Sequence, residues 1–325
     1  MAKKVIVYKR IPESELNKLQ AHFNVTCFDT INDDNRAEFL TALQDAEGIL
    51  GSSIDMGADV LDRAPKLKAA STISVGTDNF DLAYLAQRHI PLMHTPDVLT
   101  NTTADTIFML LMCAARRAVE LSNLVREGHW KSLIGSSLYG IDVHGKTLGI
   151  IGMGRIGCAI AKRAHCGFDM KIQYHNRSVN SEAEQQFGAT RVEFETLLKT
   201  SDYICVMTPL TTETEHLIGA KEFAMMKKDA IFVNGARGRV VDEEAMIEAL
   251  RNGTIRAAGL DVFAVEPLPS DSPLCQLNNA VLLPHAGSAT VETRQAMVEC
   301  AVDNLIAALA GDISKNCANR HLLPA

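Results

Sequence analysis

Residues 147–178 read TLGIIGMGRIGCAIAKRAHCGFDMKIQYHNRS, and the order of residue types in them decides the fold. The apolar run TLGII leads straight into Gly152-Met153-Gly154-Arg155-Ile156-Gly157, a helical stretch follows, and KIQYH forms a second apolar run. Strand, glycine loop, helix and strand within about thirty residues is the arrangement that receives a pyrophosphate. The three glycines serve different ends. Gly152 permits the tight turn, Gly154 lets the backbone approach the phosphates, and Gly157 lets the helix pack on the strand. Arg155 and Ile156 open the helix, whose N-terminus faces the anion.

About twenty residues beyond such glycines, an NAD site places Asp or Glu against the ribose hydroxyls. Here the residues are Asn176-Arg177-Ser178. Arg177 can pair with a 2′-phosphate through charge-assisted hydrogen bonds, while Asn176 and Ser178 add neutral donors. NADP(H) is therefore the expected coenzyme. The alternative is an arginine that merely decorates a surface loop.

Working outward, 325 residues exceed what one core usually organises, so two α/β lobes with a cleft are expected. A hydrophobic share of 47% against 22% charged residues suits a folded globular chain. The formal net charge of −7 speaks against a nucleic-acid partner, which needs clustered Lys and Arg in excess. The eight cysteines form no C-x-x-C pair and have no histidines at zinc spacing, so they are expected to be reduced and mostly buried, with no metal. The first apolar run ends at Tyr8, too short for a signal-peptide core, and no run of 18 apolar residues occurs. A cytoplasmic protein without a membrane partner is expected.

Apolar runs at 5–8, 25–28, 48–51, 69–74 and 90–93 predict the strands of a first lobe. Runs at 147–151, 171–175, 203–208, 231–234, 257–261 and 281–284 predict those of a second, with helices between them. One long helix is expected from Thr102, its cap, through Asp105 in the first turn and on past Ala118 and Leu121 to Gly128. A helix over 243–250 has Asp242 as cap and Gly253 as stop, and a last helix covers 290–310.

In an open parallel sheet, ligands lie outside the carboxyl ends of the strands. Those ends carry Gly152, Asn176, Thr208-Pro209, Asn234 to Arg237, Asp261 and His285. Reducing a carbonyl takes a hydride source, a proton donor for the oxygen and a cation that polarises and grips the substrate. Arg237, in VNGARG, has the planar fork for a carboxylate. His285, in LLPHAGSAT, can donate the proton, and Glu266, in GLDVFAVEP, can orient the ring. Taken singly, each also reads as an ordinary salt bridge, turn acid or satisfied histidine.

GMGRIG, VNGARG, GLDVFAVEP and PHAGSAT in that order, with SVGTDNFD and NTTADT before them, resemble the D-2-hydroxyacid dehydrogenase family over nearly the whole chain. STISVGTDNFD, HTPDVLT, DVHGKTLGIIGMGRIG, AVDNLI and KNCAN resemble its bacterial branch acting on glyoxylate, hydroxypyruvate and 2-keto-D-gluconate. The resemblance implies reduction of a small 2-oxo acid to a D-2-hydroxy acid, with Arg237, Glu266 and His285 as catalytic set and His285 as acid/base. It implies that Val75 and Gly76 offer backbone groups to the substrate carboxylate, and that Thr103 and Asp261 lie by the nicotinamide; Thr208 and Pro209, at their strand end, are expected to bind the coenzyme.

The same resemblance implies an α/β fold of two doubly wound parallel sheets. A Rossmann NADP-binding domain over 101–287 would be inserted into a smaller flavodoxin-like substrate domain built from 1–100 and 288–325, and the chain would form a homodimer. Thr77 stands where the branch has tyrosine, Ala286 where isoleucine follows the histidine, and Trp130 is a candidate for reaching a partner's pocket. The alternatives are a dinucleotide-sensing, protein-binding scaffold, or a D-lactate or D-3-phosphoglycerate dehydrogenase; the last would want an acid near Asn176.

Overall fold

A computed structural model describes residues 2–324. The chain divides into two compact units, one made of the segment up to Leu99 together with that from Ala289 on, the other of Thr100–Ser288.

The first unit contains β1 (Lys4–Val7), α1 (Glu13–Gln20), β2 (Asn24–Cys27), α2 (Arg36–Leu43), β3 (Gly48–Gly51), α3 (Ala58–Leu61), β4 (Ala69–Thr72), α4 (Leu82–Gln87) and β5 (Leu92–Met93). All strand pairs are parallel, in the order β2-β1-β3-β4-β5. This is the flavodoxin-like order, whose direction of winding reverses between β1 and β3.

The second unit contains α5 (Thr100–Arg116), α6 (Ala118–Arg126), β6 (Thr147–Ile151), α7 (Arg155–Phe168), β7 (Lys171–His175), α8 (Ser181–Phe187), β8 (Thr190–Arg191), α9 (Phe194–Thr200), β9 (Tyr203–Val206), α10 (Ala220–Met225), β10 (Ile231–Asn234), α11 (Glu243–Arg251), β11 (Ala257–Leu260) and β12 (Ala280–Leu282). Its sheet is parallel throughout, in the order β12-β11-β10-β9-β6-β7-β8. From β6 the chain winds out to β8, then returns past β6 and builds the other half. That is the Rossmann arrangement with one further strand. β9, β10 and β11 are buried at every position, as strands covered on both faces must be.

The last helix, α12 (Val291–Leu309), belongs to the first unit. Gly48 leaves it room: a Cβ there would stand 2.9 Å from Leu309 Cδ1. Ser71 Oγ donates to Ala301 O at 2.8 Å, and buried Asn319 bonds both Leu92 N and Ile90 O at 2.9 Å. The sheet built by the first hundred residues is thus covered by the helix of the C-terminal segment.

Most strands fall where expected, with ends trimmed, and β8 is an addition; two residues give no run of apolar side chains to read. The single long helix predicted from Thr102 is corrected. It starts at Thr100, so Thr102 is inside it and Asp105 lies beyond its first turn, ion-paired to Arg163 at 2.6 Å. It stops at Arg116, and Arg117 takes a left-handed φ of 54° before α6. The cause is a competing donor: Ile141 N bonds Ala115 O at 2.9 Å, consuming a carbonyl the helix would need, and Gly140 is the residue that fits against that carbonyl. Ala118 is consequently exposed. Asp242 and Thr290 do cap their helices, accepting from Ala245 N and Thr293 N. The cysteines are all free, but only Cys205 is buried, which corrects the expectation of mostly buried thiols.

Candidate active site

The glycine loop connects β6 to α7 in the second unit. Gly152 has φ +101°, and a Cβ on it would lie 2.7 Å from Thr208 N, so the turn fits only glycine against the chain leaving β9. A Cβ on Gly157 would stand 2.5 Å from Gly152 O, so helix and loop touch backbone to backbone. Gly154 faces open space: nothing lies within 4 Å of the Cβ it lacks. This is a cradle with room above it, at the N-terminus of a fourteen-residue helix opened by Arg155 and Ile156.

Two asparagines clamp this loop. Asn176 Oδ1 accepts from Met153 N at 3.1 Å, and Asn180 Nδ2 donates to Met153 O at 2.9 Å. Arg177 and Ser178 follow on an exposed loop with no acid at the end of β7. Arg191 donates to Asn176 O and Arg177 O, both at 3.1 Å, bringing a second guanidinium to the 176–178 loop. Sequence reasoning alone passes over Asn180 and Arg191. Asn180 carries a signal, since it precedes α8 and caps it through Ala183 N. Arg191 carries none, because β8 is too short to read.

Arg237, Glu266 and His285 follow β10, β11 and β12, three neighbouring strands. Buried Asn234 shapes the first of these loops, donating to Arg237 O and accepting from Ala236 N, both at 3.0 Å. Arg237 itself donates to Ala236 O at 2.8 Å. A Cβ on Gly238 would stand 1.8 Å from the carbonyl carbon of Phe263, so the arginine loop and the glutamate loop approach as closely as backbones can.

Glu266 Oε1 accepts from Phe263 N at 3.0 Å, and Oε2 accepts from His285 Nδ1–H at 2.7 Å. Burial pushes the Glu266 carboxyl up, but the hydrogen bonds from His285 and Phe263 and the charges of His285 and Arg237 outweigh it. The group therefore lies below the usual glutamate range. The carboxylate is the more sheltered partner, with a side-chain exposure of 35% against 48% for the ring.

Buried Asp261 holds the histidine loop from beneath. Its Oδ1 accepts from Ala286 N at 2.7 Å and its Oδ2 from Gly287 N at 2.8 Å. Burial raises its carboxyl above the aspartate range, only partly opposed by these two N–H groups and by the His285 charge, while the Glu266 charge adds to the rise. His285 sits at φ +53°, a conformation that costs a non-glycine residue about 1–3 kcal/mol and persists because its neighbours fix it. Thr103, buried in α5, lies under Gly287, and Thr106 Oγ1 donates to Gly287 O at 3.3 Å. Thr208 and Pro209 follow β9 next to the glycine loop.

Val75 and Gly76 lie in the first unit, after β4. Their loop is held by Ser74 Oγ, which donates to Gly76 O at 2.6 Å, and by the His94 ring, whose Nδ1 is 3.1 Å from Val75 O.

Residues 108–287 match the NAD-binding domain of the D-isomer specific 2-hydroxyacid dehydrogenases. The chain is 54% identical to a glyoxylate/hydroxypyruvate reductase B of Serratia proteamaculans and 53% identical to one of Yersinia enterocolitica, each alignment covering 99% of both chains. Its fold superposes with a TM-score of 0.85 on an NADPH-dependent glyoxylate/hydroxypyruvate reductase from Sinorhizobium meliloti solved with NADP and malonate, at 31% identity over 98% of each chain.

Proposed function

The chain belongs to the D-isomer specific 2-hydroxyacid dehydrogenase family, and from that membership we propose that it is an NADPH-dependent reductase converting glyoxylate into glycolate, and hydroxypyruvate and 2-keto-D-gluconate into the corresponding D-2-hydroxy acids. The observation that carries the reading is the 2.7 Å contact of Glu266 Oε2 with His285 Nδ1. It commits Nδ1 to the carboxylate and leaves Nε2, which makes no hydrogen bond among the described residues, as the atom that exchanges a proton.

The coenzyme would be held by the Gly152–Gly157 loop and the N-terminus of α7, with Arg155, Ile156, Thr208 and Pro209 around it. Arg177 would meet the 2′-phosphate together with Asn176 and Ser178, supported by Arg191, while Thr103 and Asp261 would face the nicotinamide. When bound, it supplies the hydride that reaches the keto carbon. Arg237 grips the substrate and polarises its carbonyl. His285 Nε2–H gives its proton to the oxygen as charge develops there, and Glu266 balances the charged ring until the proton is replaced. Val75 and Gly76, in the first unit, offer backbone N–H groups to the carboxylate.

A homodimer formed through the second unit fits the apolar side chains that unit leaves exposed, among them Met109, Val125, Trp130, Leu133 and Tyr139. Light scattering on the purified protein tests this. Eight free thiols, three of them exposed, fit a reducing cytoplasm.

The function is tested by following NADPH oxidation with glyoxylate and hydroxypyruvate. NADPH binding without oxidation of either would favour a sensing scaffold and end the proposal.

A further inference from the structure

The stretch VVDEEA at 240–245 contains an acid that the chemistry above does not use. Glu243 opens α11 directly after the cap residue Asp242, and its Oε2 accepts from Ala264 N at 3.0 Å. Ala264 stands in the loop after β11, two residues before Glu266. An acid in the first turn suits the helix dipole, but exposed Glu244 beside it already serves that end. The reach of half-buried Glu243 across to another loop is separate from that role.

The loop from Asp261 to Glu266 needs such a tie. Phe263 anchors its first half, with a buried side chain in the same core cluster as Met246 and Leu250 of α11. Beyond Phe263 the chain turns outward, and Val265 is 61% exposed. The bond from Phe263 N to Glu266 Oε1 lies within the loop and moves with it. Gly238 is a wall: a Cβ there would stand 1.8 Å from the Phe263 carbonyl carbon and 2.3 Å from Ala264 N, which limits approach but holds nothing. Glu243 supplies the hold, and it does so from a helix seated in the core by Met246, Ala249 and Leu250. The stretch from Arg237 to Glu243 thus meets the glutamate loop twice, once by packing and once by a hydrogen bond.

We propose that Glu243 is a positioning residue for the acid/base pair: by holding Ala264 N it fixes the loop so that Glu266 Oε2 stands against His285 Nδ1. This rests on the reading of Glu266 and His285 as that pair. A side chain that must meet its partner at 2.7 Å has to be carried by backbone that is itself fixed. What Glu243 contributes is an acceptor oxygen at the right reach, and its charge is incidental. Glutamine offers the same oxygen at the same distance. Aspartate keeps the charge but is shorter by one carbon–carbon bond of about 1.5 Å, and falls short of Ala264 N.

The test measures kcat and KM for glyoxylate, and NADPH affinity, in wild type, Glu243→Gln, Glu243→Asp and Glu243→Ala. Glu243→Asp and Glu243→Ala are expected to lower kcat by about ten- to a hundredfold, the effect of a small misplacement at the reacting groups, with KM and NADPH affinity little changed. Glu243→Gln stays within about threefold of wild type, since the neutral acceptor is only somewhat weaker. In a Glu266→Gln background, adding Glu243→Asp lowers kcat by no more than about twofold, because the two residues act through one pair. Wild-type kcat in Glu243→Asp, equal loss in Glu243→Gln and Glu243→Asp, or full additivity with Glu266→Gln overturns the proposal. Glu243→Asp retains the acid of the first turn, so it carries the test even where Glu243→Ala fails to fold. Should wild type turn over no 2-oxo acid, the reductase reading falls, and crystal structures of the variants decide the positioning role by themselves. Glu266 parted from His285 in Glu243→Asp and kept on it in Glu243→Gln supports that role, and an intact pair in Glu243→Asp overturns it.

Discussion

Glu266 Oε2 and His285 Nδ1 meet at 2.7 Å, and the same carboxylate takes Phe263 N at 3.0 Å on its other oxygen. The ring is therefore tethered to the loop after β11 rather than to its own strand. Its orientation follows from how β11 and β12 pair in the sheet.

In the proposed mechanism, replacing the ring removes the proton donor and little else, since Asp261 fixes the backbone of this loop through Ala286 and Gly287. His285→Ala is expected to lower kcat for glyoxylate reduction by about 10² to 10⁴, with NADPH affinity retained. Steady-state kinetics and coenzyme titration measure the two separately, and near-normal turnover would remove His285 from the chemistry.

The two carboxylates of the site bear on stability with opposite signs. Glu266 is depressed in the folded protein, so the stability it contributes is complete above the ordinary glutamate value of 4.5 and is lost as pH falls through the depressed one. Asp261 is raised by burial, so it withdraws stability as pH climbs from the ordinary aspartate value of 3.8 through its folded value. Unfolding of Glu266→Gln followed by urea against pH should show a shallower loss of stability on the acid side than wild type. An identical acid profile would count against the ion pair.

The contact at Gly238 allows no side chain. A Cβ placed 1.8 Å from a backbone carbonyl carbon must push two loops apart, so Gly238→Ala is expected to destabilise by at least about 1–3 kcal/mol. Because those loops carry Arg237 and Glu266, kcat/KM should fall as well. Retention of both wild-type Tm and activity would show that the loops part without consequence.

In the proposed reading, coenzyme choice rests on the 176–178 loop. Arg177→Ala should raise KM for NADPH by about ten- to a hundredfold, the worth of one charge-assisted bond, while leaving KM for NADH nearly unchanged. Arg191→Ala should act in the same direction and more weakly, since Arg191 bonds the backbone of the loop. Equal loss with both coenzymes would mean that the arginines serve the fold alone.

The sequence by itself determined the parallel α/β class, the glycine loop, the absence of an acid after β7, and which side chains end strands β10 to β12. Each is written in a local pattern: a run of apolar residues, a spacing of glycines, or a residue type at the close of a strand. The capping of α11 by Asp242 and of α12 by Thr290 was legible for the same reason, since donor and acceptor lie three residues apart.

Only the tertiary structure decided the break at Arg117, whose cause is a hydrogen bond from Ile141 to a carbonyl 26 positions earlier in the chain, as the residue numbers give. The same holds for the clamp of Asn180 on Met153, the approach of Arg191 to Arg177 and the pairing of Lys9 with Ser52. These contacts join residues far apart in sequence, and a lone Asn, Arg or Lys in a loop looks alike whether or not the sheet brings a partner to it. Strand order supplies that partner, and strand order is fixed by packing across the whole sheet.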